Sequence, residues 1–315
     1  MELNPTLHKK TMDIQLQNLI VDAFRHLSPF PRRSYLVIID GLDECHDETT
    51  QQSILRLLCK AITVHKLPLR FLIGSRPEYH IRHCFDEESL DTVTQRVVLD
   101  ETFNPERDIQ VFLQDGFAKI CAKNSVLARV KQPWPGEKII DLLVRRSSGQ
   151  FIYAATVLKF VGANYCNPRN QLALVLKTDP TAFPDLDQLY TQILSVYPNN
   201  PNTVNIVQVL GFIIALDEKN LPEVIENILG MEEGELKQML CGLSSLMKDE
   251  NDENGERLKK GDISYVIPNF AHASFSDYLS NPSRSGSFHV NREEYKDQVT
   301  IQSFALITRL IRPRR

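Results

Sequence analysis

Between Tyr35 and Cys45 the chain reads YLVIIDGLDEC, and this stretch limits the fold more than any other. A run of aliphatic and β-branched residues stops at Asp40, and Asp43 and Glu44 follow within one turn. Such a run reads as a strand buried on both faces, as in a parallel sheet covered by helices. Its carboxylates then lie at the carboxyl end of the strand, where open α/β sheets bind ligands. A carboxylate at that place can hold Mg²⁺ directly or through water. A second, one turn on, can orient or deprotonate an attacking water. The bland alternative is a solvated acidic turn leading into the next helix.

The flanking pattern completes a βαβ unit. Thr11 to Leu27 has apolar residues at helical spacing. A helix from about Thr50 to His65 follows the acidic turn, and Arg70–Gly74, RFLIG, is a second buried-type strand, expected parallel to the first. Gln95–Leu99, QRVVL, is a third strand candidate. The second strand ends in Gly74-Ser75-Arg76-Pro77-Glu78. An Arg and a small hydroxyl at that tip can report on a phosphate by charge-assisted hydrogen bonds. The bland alternative is a surface Arg paired with Glu78 or Asp43.

From Asn104 onward the pattern is helical. Asn104-Pro105-Glu106 starts a helix over 109–123, with Pro at its first position. Helices are expected over Glu137–Ser147 and, nearly all apolar, Gly149–Val161. Asn199-Asn200-Pro201-Asn202 reads as a linker. Beyond it come three short helices, Val204–Leu216, Leu221–Leu229 and Glu233–Leu246, then a charged loop over 248–262, a strand Ile263–Ile267 and a helix Ala271–Leu279. Three helices plus a hairpin is the composition of a winged-helix domain.

Composition excludes several function classes. The 315 residues carry a net charge of -4, so a basic nucleic-acid surface is not indicated. The expected recognition helix of the winged-helix region, over 234–247, has one Lys and is not built for DNA phosphates. No apolar run is long enough to span a bilayer, and the N-terminus has no apolar signal core. Six scattered cysteines with no C-x-x-C pair read as reduced thiols, which makes the cytoplasm the expected compartment. His80, His83 and Cys84, with Cys45 and His46, lack the second knuckle of a zinc site.

The strand ending D-x-x-D-E has the form of a Walker B motif, which implies a G-x-x-x-x-G-K-[ST] loop. None of the thirteen glycines opens one. FLIGSRPE after LVIIDGLDEC resembles the NACHT domain of STAND-class P-loop NTPases, especially the fungal group with the nephrocystin-type module. SSGQFIYAATVLKFV resembles that group's segment after the NTPase core, with Gly149 kept and Phe151 where a Pro would be. NFAHASFSDYLSNPSRSGSFHVN resembles its winged-helix segment. The resemblance runs from about residue 5 to 310.

It implies an α/β partial parallel P-loop-type sheet followed by all-α helical and winged-helix regions, mostly helical overall. The implied division is 1–103 for the C-terminal part of the NTPase core, 104–198 helical, and 199–315 winged-helix-like with a following helix. The implied cofactors are ATP/ADP and Mg. Asp40 would be the Mg-side carboxylate, acting indirectly, and Asp43 and Glu44 would position the hydrolytic water. Ser75 and Arg76 would face the γ-phosphate, and His272 would reach the β-phosphate of ADP. Without the phosphate loop, weak or absent nucleotide binding and no active ATPase are expected. So are protein partners or self-association through the NACHT module, with no nucleic acid and no membrane. The family's sheet would lack its central strand, leaving either an outer strand to slide in or an open edge. The alternative reading is a non-enzymatic interaction or regulatory fragment that pairs with an intact NACHT protein.

Overall fold

The computed structural model describes residues 6–26, 34–45, 47–99, 101–130, 132–164, 166–177, 185–195, 203–215, 222–248 and 270–311. The chain forms two compact units, Met1–Val98 and Leu99–Arg315.

The first unit opens with α1 (Met12–Leu16), a π-helical turn Gln17–Val21 and α2 (Asp22–His26), the expected N-terminal helix in three pieces. Strand β1 (Tyr35–Ile39), helix α3 (Glu48–Thr63) and strand β2 (Leu69–Ile73) follow. Short helices α4 (Tyr79–Phe85) and α5 (Glu88–Asp91) close the unit. The strands pair in parallel, with Tyr35 opposite Leu69 and Ile39 opposite Ile73, so the βαβ expectation holds. Asp47 caps α3, its carboxylate accepting from Thr50 N at 2.7 Å and from the Thr50 hydroxyl at 2.8 Å. Such a cap is worth about 1 kcal/mol.

Side chains along a strand alternate between faces. Ile73 packs beside Leu55 and Leu42 of one core cluster, and Leu69 packs with Ala61 and Val21 of another. Tyr35 meets the Phe24 ring edge-on at 5.9 Å. These residues mark the covered face. On the other face Leu36, Ile38 and Leu72 are 61%, 67% and 57% exposed. The expectation of a strand buried on both faces is therefore wrong. The described helices of this unit cover one side of a two-stranded sheet, and among its described residues no second layer meets the other.

The third strand is also wrong. Gln95–Leu99 has no strand structure, and Val97, Val98 and Leu99 are 65%, 72% and 82% exposed. A β-branched run becomes a strand only where a neighbour supplies its ladder bonds. Here the sheet is left with open edges among the described residues.

The second unit is helical: α6 (Pro105–Lys123), α7 (Glu137–Ser147), α8 (Phe151–Val161), α9 (Pro168–Leu176), α10 (Asp185–Ser195), α11 (Thr203–Ala215), α12 (Pro222–Leu229), α13 (Glu235–Cys241), α14 (Ala273–Ser280), α15 (Pro282–Ser285) and α16 (Arg292–Ile311). Nearly all-apolar α8 is central, as its composition predicts. Tyr153, Ala154, Val157 and Phe160 are buried against Ile109, Leu113 and Phe117 of α6 and Leu143 of α7. One core cluster continues from these helices to Leu210 of α11 and Phe275 of α14, across the position of the expected linker. Met247 bridges Phe270 in antiparallel fashion, joining the ends of the segment between them. The linker itself, the charged loop beyond Lys248 and the strand Ile263–Ile267 lie outside the described residues.

Candidate site at the strand tips

The ladder between β1 and β2 continues past the strands. Gly74 N–H donates to Ile39 O at 2.8 Å, and Leu42 N–H donates to Gly74 O at 3.1 Å. This brings Asp40 alongside Gly74. A Cβ on Gly74 would stand 2.7 Å from Asp40 Oδ1, so a larger residue there would make the exposed carboxylate turn aside. The chain then reverses at Gly41, whose φ of 68° suits glycine, and enters a 3-10 turn over Leu42–Glu44. Leu42 is fully buried beside Leu55 and Ile81 and pins the turn. Burial of that side chain contributes about 2 kcal/mol.

Asp40 and Glu44 are exposed, whereas the Asp43 side chain is only 5% exposed. Arg76 N–H donates to Asp43 Oδ1 at 2.9 Å, Arg76 Nε donates to Oδ2 at 2.5 Å, and the Ser75 hydroxyl lies 3.3 Å from Oδ1. Burial works against the charged form of Asp43. The Arg76 hydrogen bonds and positive charge outweigh it and hold the carboxyl below its usual range. Sequence alone left open a surface Arg paired with Asp43, and that pair is present.

Two residues not singled out for this turn support it from behind. Gln51 on α3 is buried, and its Nε2 donates to Asp43 O at 3.0 Å and to Cys45 O at 2.8 Å. Its Oε1 accepts from His80 Nε2 at 2.5 Å. The signal in the sequence is a polar residue on the face of α3 that also carries Leu55 and Cys59, and it becomes legible only once the turn is seen to need donors.

His80 is committed to Gln51 and Cys84 is fully buried, and the described residues hold no group of three or more metal-ligating side chains. His46 lies outside the described residues.

His272 belongs to the second unit. It is the N-cap of α14, with Nδ1 accepting from Ser274 N at 3.1 Å and lying 2.7 Å from Ser274 Oγ. An accepting Nδ1 places the neutral ring's proton on Nε2. The ring is exposed, so Nε2–H is presented to solvent. Behind it, Ser274 Oγ meets Tyr190 OH at 2.8 Å, and burial pushes that phenol up to about 12. Asp187, 1% exposed, accepts two bonds from Arg284, at 2.7 and 2.9 Å.

The structure thus gathers Asp40, Asp43, Glu44, Ser75 and Arg76 at one end of two parallel strands and places His272 in the other unit. Asp43 is engaged by Arg76, and the sequence as given has no Gly-rich loop with its Lys and Ser/Thr. Among the described residues, no helix is long and apolar enough to cross a membrane.

Residues 2–76 match the family described as Nephrocystin 3, N-terminal. The matched stretch takes in the whole strand-tip cluster, ends at Arg76 and lies within the first unit. No curated protein and no solved structure matches the chain.

Proposed function

We propose that this chain is part of a NACHT-type, nucleotide-dependent switch module in which half of the nucleotide site remains. The observation that carries the reading is the convergence of Asp40, Asp43 and Arg76 at the carboxyl ends of adjacent parallel strands. Open α/β sheets bind ligands at that end. In this reading the second unit comprises a helical region to residue 198 and a winged-helix-like region beyond it. The outward Nε2–H of His272 is the donor that would meet a phosphate. ADP would hold the switch closed, and ATP would open it to signalling or self-association in the cytoplasm.

The sequence as given supplies Asp40 on the cation side and Glu44 as an exposed carboxylate, but no cradle for the phosphates. Asp43 is clasped by Arg76 and so is not free to orient water. We therefore propose that the chain binds ATP–Mg²⁺ weakly or not at all and is not an active ATPase. Isothermal titration of the purified chain with ATP–Mg²⁺ tests this. No saturation below millimolar nucleotide is expected; micromolar affinity overturns the deficiency.

A second reading is favoured by the uncovered apolar face of the sheet and its open edges. Such edges accept a strand from a partner. The chain would then be a non-enzymatic interaction or regulatory fragment pairing with an intact NACHT protein. Co-purification with such a protein, unchanged by added ATP or ADP, distinguishes this reading from the switch.

A further inference from the structure

The second unit contains a cavity of about 550 Å³ between the ends of α6 and α8 and the 3-10 turn Ser244–Leu246. Its floor is set by close helix packing. A Cβ on Gly116 would stand 2.3 Å from the Leu158 side chain, and one on Gly162 would stand 3.1 Å from Ile120. Around this floor rise Lys119, Lys123 and Lys159, with Asn124, Asn164 and Ser244 between them, and among the described residues no carboxylate lines the cavity. A chain of net charge -4 therefore concentrates three cations in one concavity.

Helix ends explain only part of this. Lys123 and Lys159 stand in the last turns of α6 and α8, where a cation offsets the helix dipole. Lys119 stands one turn earlier, and like charges four residues apart on a helix repel each other. Among the described residues neither Lys119 nor Lys123 has an ion-pair partner. Asn124 Oδ1 accepts from Val126 N at 3.1 Å, which leaves its amide N–H groups as donors at the rim.

We infer that this cavity is a binding site for a small ligand carrying two or more phosphate groups, separate from the strand-tip site. Its volume lies in the small-molecule range of about 300–1,000 Å³. Lysine ammonium groups bind phosphates as point charges and adapt to several phosphate positions, unlike the fixed fork of Arg. The same chemistry would take a free polyphosphate or a phosphorylated lipid headgroup.

Inorganic tripolyphosphate is the probe, titrated calorimetrically into the full chain at low and physiological salt. One-to-one saturable binding is expected. The K119Q/K123Q double variant weakens it at least tenfold, and K159Q weakens it independently. K10Q/K138Q, which removes as much charge elsewhere, leaves it unchanged. Far-UV circular dichroism and Tm of each variant establish that it is folded. In a second arm the chain is floated with vesicles containing a bisphosphorylated inositol lipid. Vesicle binding lost in K119Q/K123Q assigns the headgroup as a source; binding confined to tripolyphosphate assigns the free anion. The inference is overturned if neither probe saturates, or if K10Q/K138Q weakens binding as much as K119Q/K123Q.

Discussion

Arg76 clasps Asp43 with two donors at once, its backbone N–H on Oδ1 and its Nε on Oδ2, so the tip of β2 closes over the turn after β1. The Arg76 side chain remains 43% exposed while that of Asp43 is 5% exposed. The carboxylate after the first strand is thereby held by the residue that follows the second.

The clasp has a pH signature. Asp43 titrates below the ordinary carboxylate range, so its contribution to stability is fully present above the unfolded-state pKa, about 3.9. That contribution is lost as pH falls through the lower, folded pKa. In Arg76→Ala the Asp43 carboxyl should titrate higher, because burial then acts with no opposing cation. Carbon-detected NMR titration of the Asp side chains reads both values. An unchanged Asp43 midpoint in the variant would show that the clasp does not set it.

Gly74→Ala should displace Asp40. The new Cβ would sit 2.7 Å from Asp40 Oδ1, and the exposed carboxylate must turn aside to admit it. Because the atom that yields is the end of an exposed side chain, stability should fall by about 0.5 kcal/mol or less. Chemical-shift changes should centre on Asp40–Leu42. A much larger loss on chemical denaturation would mean that the carboxylate is held in place.

Gln51→Leu should loosen the acidic turn without emptying the core. The substitution keeps the volume but strands the carbonyls of Asp43 and Cys45 and the ring N–H of His80. A buried polar group left unsatisfied costs about 1–3 kcal/mol. Amide hydrogen exchange over 41–45 should quicken, while the buried helix α8 in the other unit is unaffected. Equal exchange in the two proteins would rule out Gln51 as the support of the turn.

In the second unit, Arg284→Ala should be among the most damaging single changes. Asp187 is buried and accepts both of its bonds from Arg284. Breaking a buried pair from one side costs about 3–5 kcal/mol. The one-third exposure of Arg284 puts the expected loss near the lower limit, about 3 kcal/mol. Asp187→Asn with Arg284→Met should restore much of it, and a double variant as unstable as the single one would contradict the pairing.

The exposed sheet face predicts the opposite response. Ile38→Thr with Leu72→Thr puts a β-branched strand former at both positions but removes apolar surface already in water. Stability should change by about 0.5 kcal/mol or less, while self-association measured by analytical ultracentrifugation should fall. Undiminished self-association would place the contact elsewhere.

The βαβ unit was legible because each element is set by local pattern. Tyr35–Ile39 is an unbroken β-forming run, and the helix-period face of α3 begins at an Asp cap. The cluster at the strand tips was legible for the same reason, since residues that end parallel strands must share one edge. Gln95–Leu99 misled because its β-branched residues report a propensity whose realisation depends on a neighbour. The burial of Tyr35–Ile39 misled likewise, since an apolar run implies two covered faces only when two layers exist to cover them.

What the sequence determined by itself is the helices α3, α6 to α8 and α11 to α14, the parallel pair of strands and the end of the sheet at which the carboxylates and Arg76 lie, whereas α4, α5, α9, α10 and α15 were not expected from it. Tertiary structure alone decided that Arg76 closes on Asp43, that Gln51 and His80 brace the turn, and that His272 spends Nδ1 on a helix cap and presents Nε2. Period and propensity act over a few residues along the chain. These bonds join side chains 29 or 33 residues apart, or depend on which ring nitrogen a cap consumes, and only the packed backbone brings such donors and acceptors within reach.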